Sequence, residues 1–318
     1  MSFETLGIDN SSEKPTIESF NDWTHKNNCS AVTTIRPAAG NRYGVVMAIT
    51  LPKPALLRPA FKCHGGKAYL KHFILDNFPT KYERLNYIEP YSGAASVLLN
   101  KRPGPAEILN DIHPGIVAIF EAIKQDPDEF VERLQSLAYS EAIFTAALKN
   151  KESLSGMDLA VNEYTLRRMS RGGLKKNFAW SERLRGGKPG DVNAWETAIA
   201  QIPAISRRLQ AVDVSCEPAV EVLAENNRDD TLAYLDPPYL HATRAAKSAY
   251  EYEMAEADHR KLCEALLTFR GKAVISGYDS VLYNTFLSGW NRVEMKIVNH
   301  SSQAKQKQVK TEVLWKNY

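Results

Sequence analysis

A chain of 318 residues with net charge +3 is long enough to bury a substantial core and holds one large domain or two. Its 44% hydrophobic and 24% charged content excludes wholesale disorder, and its best apolar run, 45–51, falls far short of the roughly 18 to 20 residues that cross a bilayer. The polar start MSFETLGIDNSSEKP is no signal peptide, and Cys29, Cys63, Cys216 and Cys263 form no C-x-x-C pair, so a reduced, cytoplasmic protein away from membranes is expected.

Residues 1–55 have weak periodicity and read as a poorly ordered N-terminal arm with one strand over 43–50. Beyond Phe61 strand and helix signals alternate. The spacing of Tyr69, Leu70, Phe73 and Ile74 predicts a helix over 66–78, closed by Pro79. A short buried strand follows over 85–89, then a helix over 94–100, a strand over 106–109 and a helix over 114–124 with proline in its first turn. Residues 126–205 break the rhythm, with helices expected over 129–137, 141–149 and 192–205 around a basic, glycine-rich block. Strand signals return over 211–216, 231–235, 272–276, 293–299 and 310–316, with helices over 258–269 and 279–288 between them. The last two strands flank a polar loop, 300–308, and read as an antiparallel hairpin. These elements predict a doubly wound, mostly parallel seven-stranded Rossmann-like α/β sheet, built from residues 56–125 and 206–318, with 126–205 as a helical insertion.

The small net charge conceals an asymmetry. Arg167, Arg168, Arg171, Lys175, Lys176, Arg183, Arg185 and Lys188 crowd a stretch opposed only by Glu182, while the rest of the chain is net acidic. Four glycines and two aromatics, Phe178 and Trp180, interleave the block. Such a footprint suits contact with a phosphate backbone; its bland reading is a solvated surface.

The sharpest signal is Asp236-Pro237-Pro238-Tyr239 at the carboxyl end of the strand over 231–235. Ligands of open parallel sheets bind beyond that edge, although a plain Pro-Pro turn would also look like this. The residue types suit transfer to an exocyclic amine, whose lone pair is delocalised and a poor nucleophile. The Asp236 carboxylate and the Pro237 carbonyl can each accept one N–H, aiming the lone pair at an electrophile and stabilising positive charge as it develops. Prolines fix φ and hold the loop rigid, and Tyr239 offers a face on which an extruded base can stack.

With its surrounding motifs, this tetrapeptide resembles those of the Dam-like, D12 class of adenine-specific DNA methyltransferases. Phe61-Lys-Cys-His-Gly-Gly-Lys67 is similar to the family's first motif, in which the lysine and backbone lie against S-adenosylmethionine. Ile88-Glu-Pro-Tyr-Ser-Gly-Ala94 resembles its Glu-Pro-Phe-x-Gly-x-Gly loop, with Tyr91 for phenylalanine and Ala95 for the second glycine. Asn110-Asp111 resembles the acidic position that holds the cofactor's ribose hydroxyls. Tyr250, Tyr252, Asp258-His259, Ser276-Gly-Tyr278 and Glu312-Val-Leu-Trp315 match in order through the remainder. The resemblance implies S-adenosylmethionine as cofactor, bound by His64, Gly65, Gly66, Lys67, Glu89, Pro90, Tyr91, Gly93, Asp111 and Asp236, with Asp236, Pro237, Pro238 and Tyr239 catalytic. Where the family places an aspartate near the cofactor adenine this chain has Pro218, which leaves Glu217 as the substitute.

Individually these residues have plainer uses: Gly65 and Gly66 make a helix-entry turn, and Asp111 caps a helix. The insertion corresponds to the family's target-recognition region, where its arginines hold phosphates or read guanine edges. The implied activity is methylation of adenine N6 in double-stranded DNA, with the base flipped and no metal required, by a protein expected to be a monomer, a dimer being the alternative. Cytosine N4, an RNA adenine, or an inactive DNA-binding relative are the competing readings. The histidines are scattered, which gives no metal site.

Overall fold

The computed structural model describes residues 32–34, 47–49, 56–150, 154–243, 251–298 and 309–318. Residues 1–55 form one unit, within which β1 (Val32–Thr34) and β2 (Met47–Ile49) pair antiparallel. Only that pair is described there, so most of the strand expected over 43–50 lies outside the described residues.

Residues 56–318 form the second unit. Its strands are β3 (Asn86–Glu89), β4 (Glu107–Asn110), the short hairpin β5 (Leu184–Arg185) and β6 (Lys188–Pro189), then β7 (Val212–Ser215), β8 (Thr231–Leu235), β9 (Lys272–Tyr278), β10 (Asn291–Val298) and β11 (Val309–Lys316). Seven of them make one sheet in the order β10-β11-β9-β8-β3-β4-β7. The pairs from β9 through β7 are parallel, while β11 runs antiparallel to both β9 and β10. The expected doubly wound sheet with a C-terminal antiparallel hairpin is therefore present, with β11 slotted between β9 and β10.

Strand β8, Thr-Leu-Ala-Tyr-Leu, is buried along its whole length, as a parallel strand covered on both faces must be. Alternation along the strands sorts the core into two layers. Tyr87, Leu109, Leu232, Tyr234, Val274 and Leu314 face one cluster; Ile88, Ala233, Leu235, Ile275, Val313 and Trp315 face the other. The first layer receives α1 (Lys71–Asp76), α2 (Pro114–Gln125), α3 (Pro127–Gln135), α4 (Glu141–Lys149), α5 (Gly156–Met169), α6 (Gly190–Ile199) and α7 (Ile202–Leu209). The second is covered by α8 (Ala219–Glu225), α9 (Glu256–Leu267) and α10 (Val281–Phe286). Phe130, Phe144, Tyr164, Trp195 and Ile202 of the insertion belong to the same cluster as the sheet residues, so its helices share the catalytic unit's core.

Several elements differ from expectation. The helix expected over 94–100 is a run of turns, because Gly93 (φ 48°) and Ala95 (φ 53°) take left-handed conformations and the Leu98 N–H is diverted to the Glu89 side chain. Helix α1 starts only at Lys71, since Gly65 (φ 76°) turns the chain and Lys67 is drawn inward. The helix expected over 192–205 divides into α6 and α7 at Pro203, which occupies the first turn of the second. The periodicity missed α5, the longest helix at 14 residues, because its buried face carries Glu163 and Arg167 among apolar side chains. Helix α8 was also missed. Among the described residues, no helix is long and apolar enough to cross a membrane.

Candidate active site

Strands β3 and β8 are neighbours, but the chain proceeds from β3 to β4 on the other side, so the sheet reverses its winding between β3 and β8. Such a switch point opens a crevice at the carboxyl edge. Glu89 ends β3, Asp111 follows β4 and Asp236 follows β8, and all three line one cavity of about 500 Å³. Its wall brings together His64, Gly65, Gly66, Lys67, Glu89, Tyr91, Gly93, Asp111, Asp236 and Pro238 from distant stretches of sequence. Pro90, Glu217, Pro237 and Tyr239 stand outside that wall.

At the mouth nearest β8, Lys67 reaches both Asp236 oxygens, at 2.7 and 2.8 Å, and also donates to the Gly65 carbonyl. The Ser276 hydroxyl, from β9, donates to Asp236 Oδ1 at 2.9 Å. Lys67, 5% exposed, thus turns to the tetrapeptide's own carboxylate, and its ammonium lies 4.7 Å from the centre of the Tyr239 ring. Tyr239 is itself buried; its hydroxyl donates to Glu312 at 2.7 Å and its ring packs edge-on to Tyr278. The free stacking face expected of Tyr239 is therefore occupied by protein neighbours.

Glu89 sits deeper. Its Oε2 accepts from the Tyr87 hydroxyl at 2.7 Å and from the Leu98 N–H at 3.0 Å, and burial pushes its carboxyl up to about 8. Asp111 accepts from the N–H groups of Gly93 and His113 at 2.9 and 3.0 Å, and burial raises its carboxyl above the usual range. It braces the glycine turn that faces the cavity, while His113 supplies the N-cap of α2 through its ring nitrogen. At Gly66 a Cβ would lie 3.1 Å from the Cys63 carbonyl, a tight contact that a side chain could enter only with a small shift of that carbonyl.

The region expected around Glu217 differs. Asn110 clamps the Glu217 backbone on both its N–H and C=O, leaving the side chain exposed, and Pro218, Ala219 and Val220 supply the wall instead. Together with Ile112 they make an apolar end for the cavity.

The basic block splits in two. Arg167 is buried, bonded to Glu163 at 2.6 Å, and Lys175 bonds Glu163 and Glu251; both Arg167 and Lys175 line the cavity. Arg168 donates to the Ala194 carbonyl. These three are held inward by their partners, which corrects their placement on a phosphate-facing surface. Arg171, Lys176, Arg183, Arg185 and Lys188 are exposed, several of them on the β5–β6 hairpin beside exposed Leu184 and Trp180, with Lys188 paired to Glu196.

His113 is not isolated, contrary to the sequence reading. Its Nε2 lies 2.9 Å from Glu251 and 3.4 Å from Glu163, a grouping of the kind that holds metals, and the Lys175 ammonium bonds both carboxylates. Nothing in the spacing of 113, 163, 175 and 251 could have announced this cluster. Of the remaining motif positions, Asp258 caps α9 by accepting from the Ala255 N–H, His259 is buried against the Tyr283 hydroxyl, and Tyr250 lies outside the described residues.

A family model for the D12 class N6 adenine-specific DNA methyltransferase matches residues 64–303, which takes in the cavity wall and the tetrapeptide. The type II methyltransferase M.MjaIII of Methanocaldococcus jannaschii is 24% identical over 289 residues, 82% of this chain and 99% of that protein. The DNA adenine methylase of Haemophilus influenzae is 36% identical over 90 residues, 28% of this chain and 30% of that protein. Among solved structures, the SAM dependent methyltransferase from Agrobacterium tumefaciens gives a TM-score of 0.35 at 10% identity, covering 88% of this chain and 71% of that one, too distant to carry an argument. With a tetrapeptide at the sheet's switch point, a glycine-lined cavity beside it and a family match spanning both, the chain belongs to the D12 class of N6 adenine-specific DNA methyltransferases and is an S-adenosylmethionine-dependent enzyme that methylates DNA.

Proposed function

We propose that the chain methylates the N6 amino group of an adenine flipped out of double-stranded DNA, using Asp236 and the Pro237 carbonyl as acceptors for the target amine. The observation that carries this reading is Asp236 itself, fixed by Lys67 and Ser276 where the cavity meets the end of β8. A carboxylate fixed there is oriented before charge develops on the nitrogen, which favours electrostatic stabilisation.

The cavity suits S-adenosylmethionine in size and in donor set. Asp111 would accept from the ribose hydroxyls, and Ile112, Pro218, Ala219 and Val220 line an apolar end of the cavity that would take the adenine ring. Gly65, Gly66 and Gly93 line the cavity without side chains, and Glu89 would hold the amino-acid end of the cofactor with its ammonium. When bound, the cofactor supplies an electrophilic methyl group. With the cofactor in place, Asp236 would orient the target amine towards that methyl group and hold the surplus N–H proton as it leaves. Lys67 shares the same carboxylate and must yield part of it to the incoming amine.

Residues 126–205 act as the target-recognition insertion, with Arg171, Lys176, Arg183 and Arg185 presented to phosphates or bases. Single-molecule sequencing of DNA from a methylation-free host expressing this chain tests the proposal. N6-methyladenine in one sequence context is expected; methylated cytosine, or unmodified DNA despite folded protein, contradicts it.

A further inference from the structure

We infer that Glu312 is a positioning residue for methyl transfer, acting through the Tyr239 hydroxyl on the loop that carries Asp236. The inference rests on the reading of Asp236 as the acceptor for the target amine.

Glu312 lies on β11 directly opposite Tyr278 of β9, in a stretch where Val313, Leu314 and Trp315 are all buried. It is only 3% exposed. Stability alone does not call for a carboxylate there, since well-packed apolar residues in such positions are often neutral or better. Its hydrogen bonds come from two tyrosines: the Tyr239 hydroxyl donates to Oε2 at 2.7 Å, and the Tyr69 hydroxyl to Oε1 at 3.4 Å.

These contacts converge on the tetrapeptide. Tyr239 is fixed at its hydroxyl by Glu312, along its edge by Tyr278 at 4.6 Å between ring centres, and over its face by Lys67. Lys67 in turn holds both oxygens of Asp236. The tyrosine ring thus sets where the ammonium sits, and the ammonium sets the direction in which the Asp236 oxygens point. Removing the anchor at the hydroxyl lets the ring tilt and lets Lys67 follow it, which misaligns the acceptor while leaving the Asp111 and Pro218–Val220 side of the cavity in place; Glu312 and Tyr239 themselves stand outside its wall. Burial raises the Glu312 carboxyl above its usual range, and the neighbouring Lys67 and the Tyr239 hydroxyl work against that rise.

The test is a cycle of Glu312→Gln, Tyr239→Phe and the double variant, with Asp236→Asn alongside. Single-turnover methyl transfer is followed with saturating labelled S-adenosylmethionine on sheared DNA from a methylation-free host, and cofactor affinity is measured by calorimetry. Each single change is expected to slow transfer by about 10- to 100-fold with cofactor affinity within about twofold, and the double to be no slower than the slower single, as for residues acting in one chain of contacts. Folded Glu312→Gln protein that transfers at the wild-type rate, or a double variant whose losses multiply, overturns the positioning role. Tyr239→Phe probes the same bond should the glutamine variant not fold, and a wild-type rate there overturns it equally. If Asp236→Asn stays active, the underlying reading fails; if only that variant is inactive, it stands without Glu312.

Discussion

Glu89 is held between a tyrosine hydroxyl and a backbone N–H in a buried pocket, and its carboxyl rises to about 8. The unfolded chain releases that proton in the ordinary glutamate range, near pH 4.5, while the folded protein keeps it until about pH 8. The folded state then binds more protons across that window, so its stability is fully present below the window and falls as pH rises through it. Glu89→Gln, which cannot ionise, should flatten the fall in melting temperature between pH 5 and 8; an unchanged slope would assign the fall to other groups. At Asp111, one carboxylate both braces the Gly93 turn and faces the cavity. Asp111→Ala should weaken S-adenosylmethionine binding by about 10- to 100-fold, the loss of one charged acceptor. Calorimetry showing unchanged affinity in folded protein would remove Asp111 from the cofactor site.

At the level of elements, the insertion's two sets of cations predict two different phenotypes. Arg167 belongs to a buried group with Glu163 and Lys175, and its loss strips the buried Glu163 carboxylate of one of its two cationic partners. Arg167→Ala should therefore lower the melting temperature strongly. Replacing exposed Arg171, Arg183 and Arg185 should leave it nearly unchanged while reducing the slope of log K against log salt for DNA binding by about one unit per phosphate contact. A constant slope would place these arginines away from the backbone, and altered sequence preference at constant slope would mark base readers. The sequence could show that a basic block exists but not which side chains turn inward, because Glu163 lies on a helix the apolar period does not reveal and Glu251 reaches the block from far along the chain. For the same reason α5 escaped notice: buried ion pairs interrupt the apolar period that identifies a helix. The sheet was legible because β8 and β9 carry apolar runs and β3 and β4 carry apolar pairs bounded by turns, whereas the turns at 93–100 depended on a side-chain bond from Glu89 that no local pattern encodes.

Across the whole molecule, the tetrapeptide was legible but its setting was not. Lys67 and Asp236 are 169 residues apart in sequence, and only the winding of the sheet brings motif and tetrapeptide to one crevice. The helices of residues 126–205 share the core of the sheet, so the proposed DNA contacts on the hairpin and the proposed chemistry at β8 belong to one unit. The central proposal is the role of Asp236 in methyl transfer, and Asp236→Asn tests it most directly. The substitution keeps the shape of the side chain and the cavity, but exchanges a charged acceptor for an amide that can present N–H to the target's own N–H. Under single-turnover conditions with saturating cofactor, the transfer rate should fall by about 10² to 10³-fold or more, while binding of S-adenosylmethionine and DNA changes little. A variant that transfers methyl groups at near the wild-type rate would make Asp236 a turn residue and contradict the mechanism built on it.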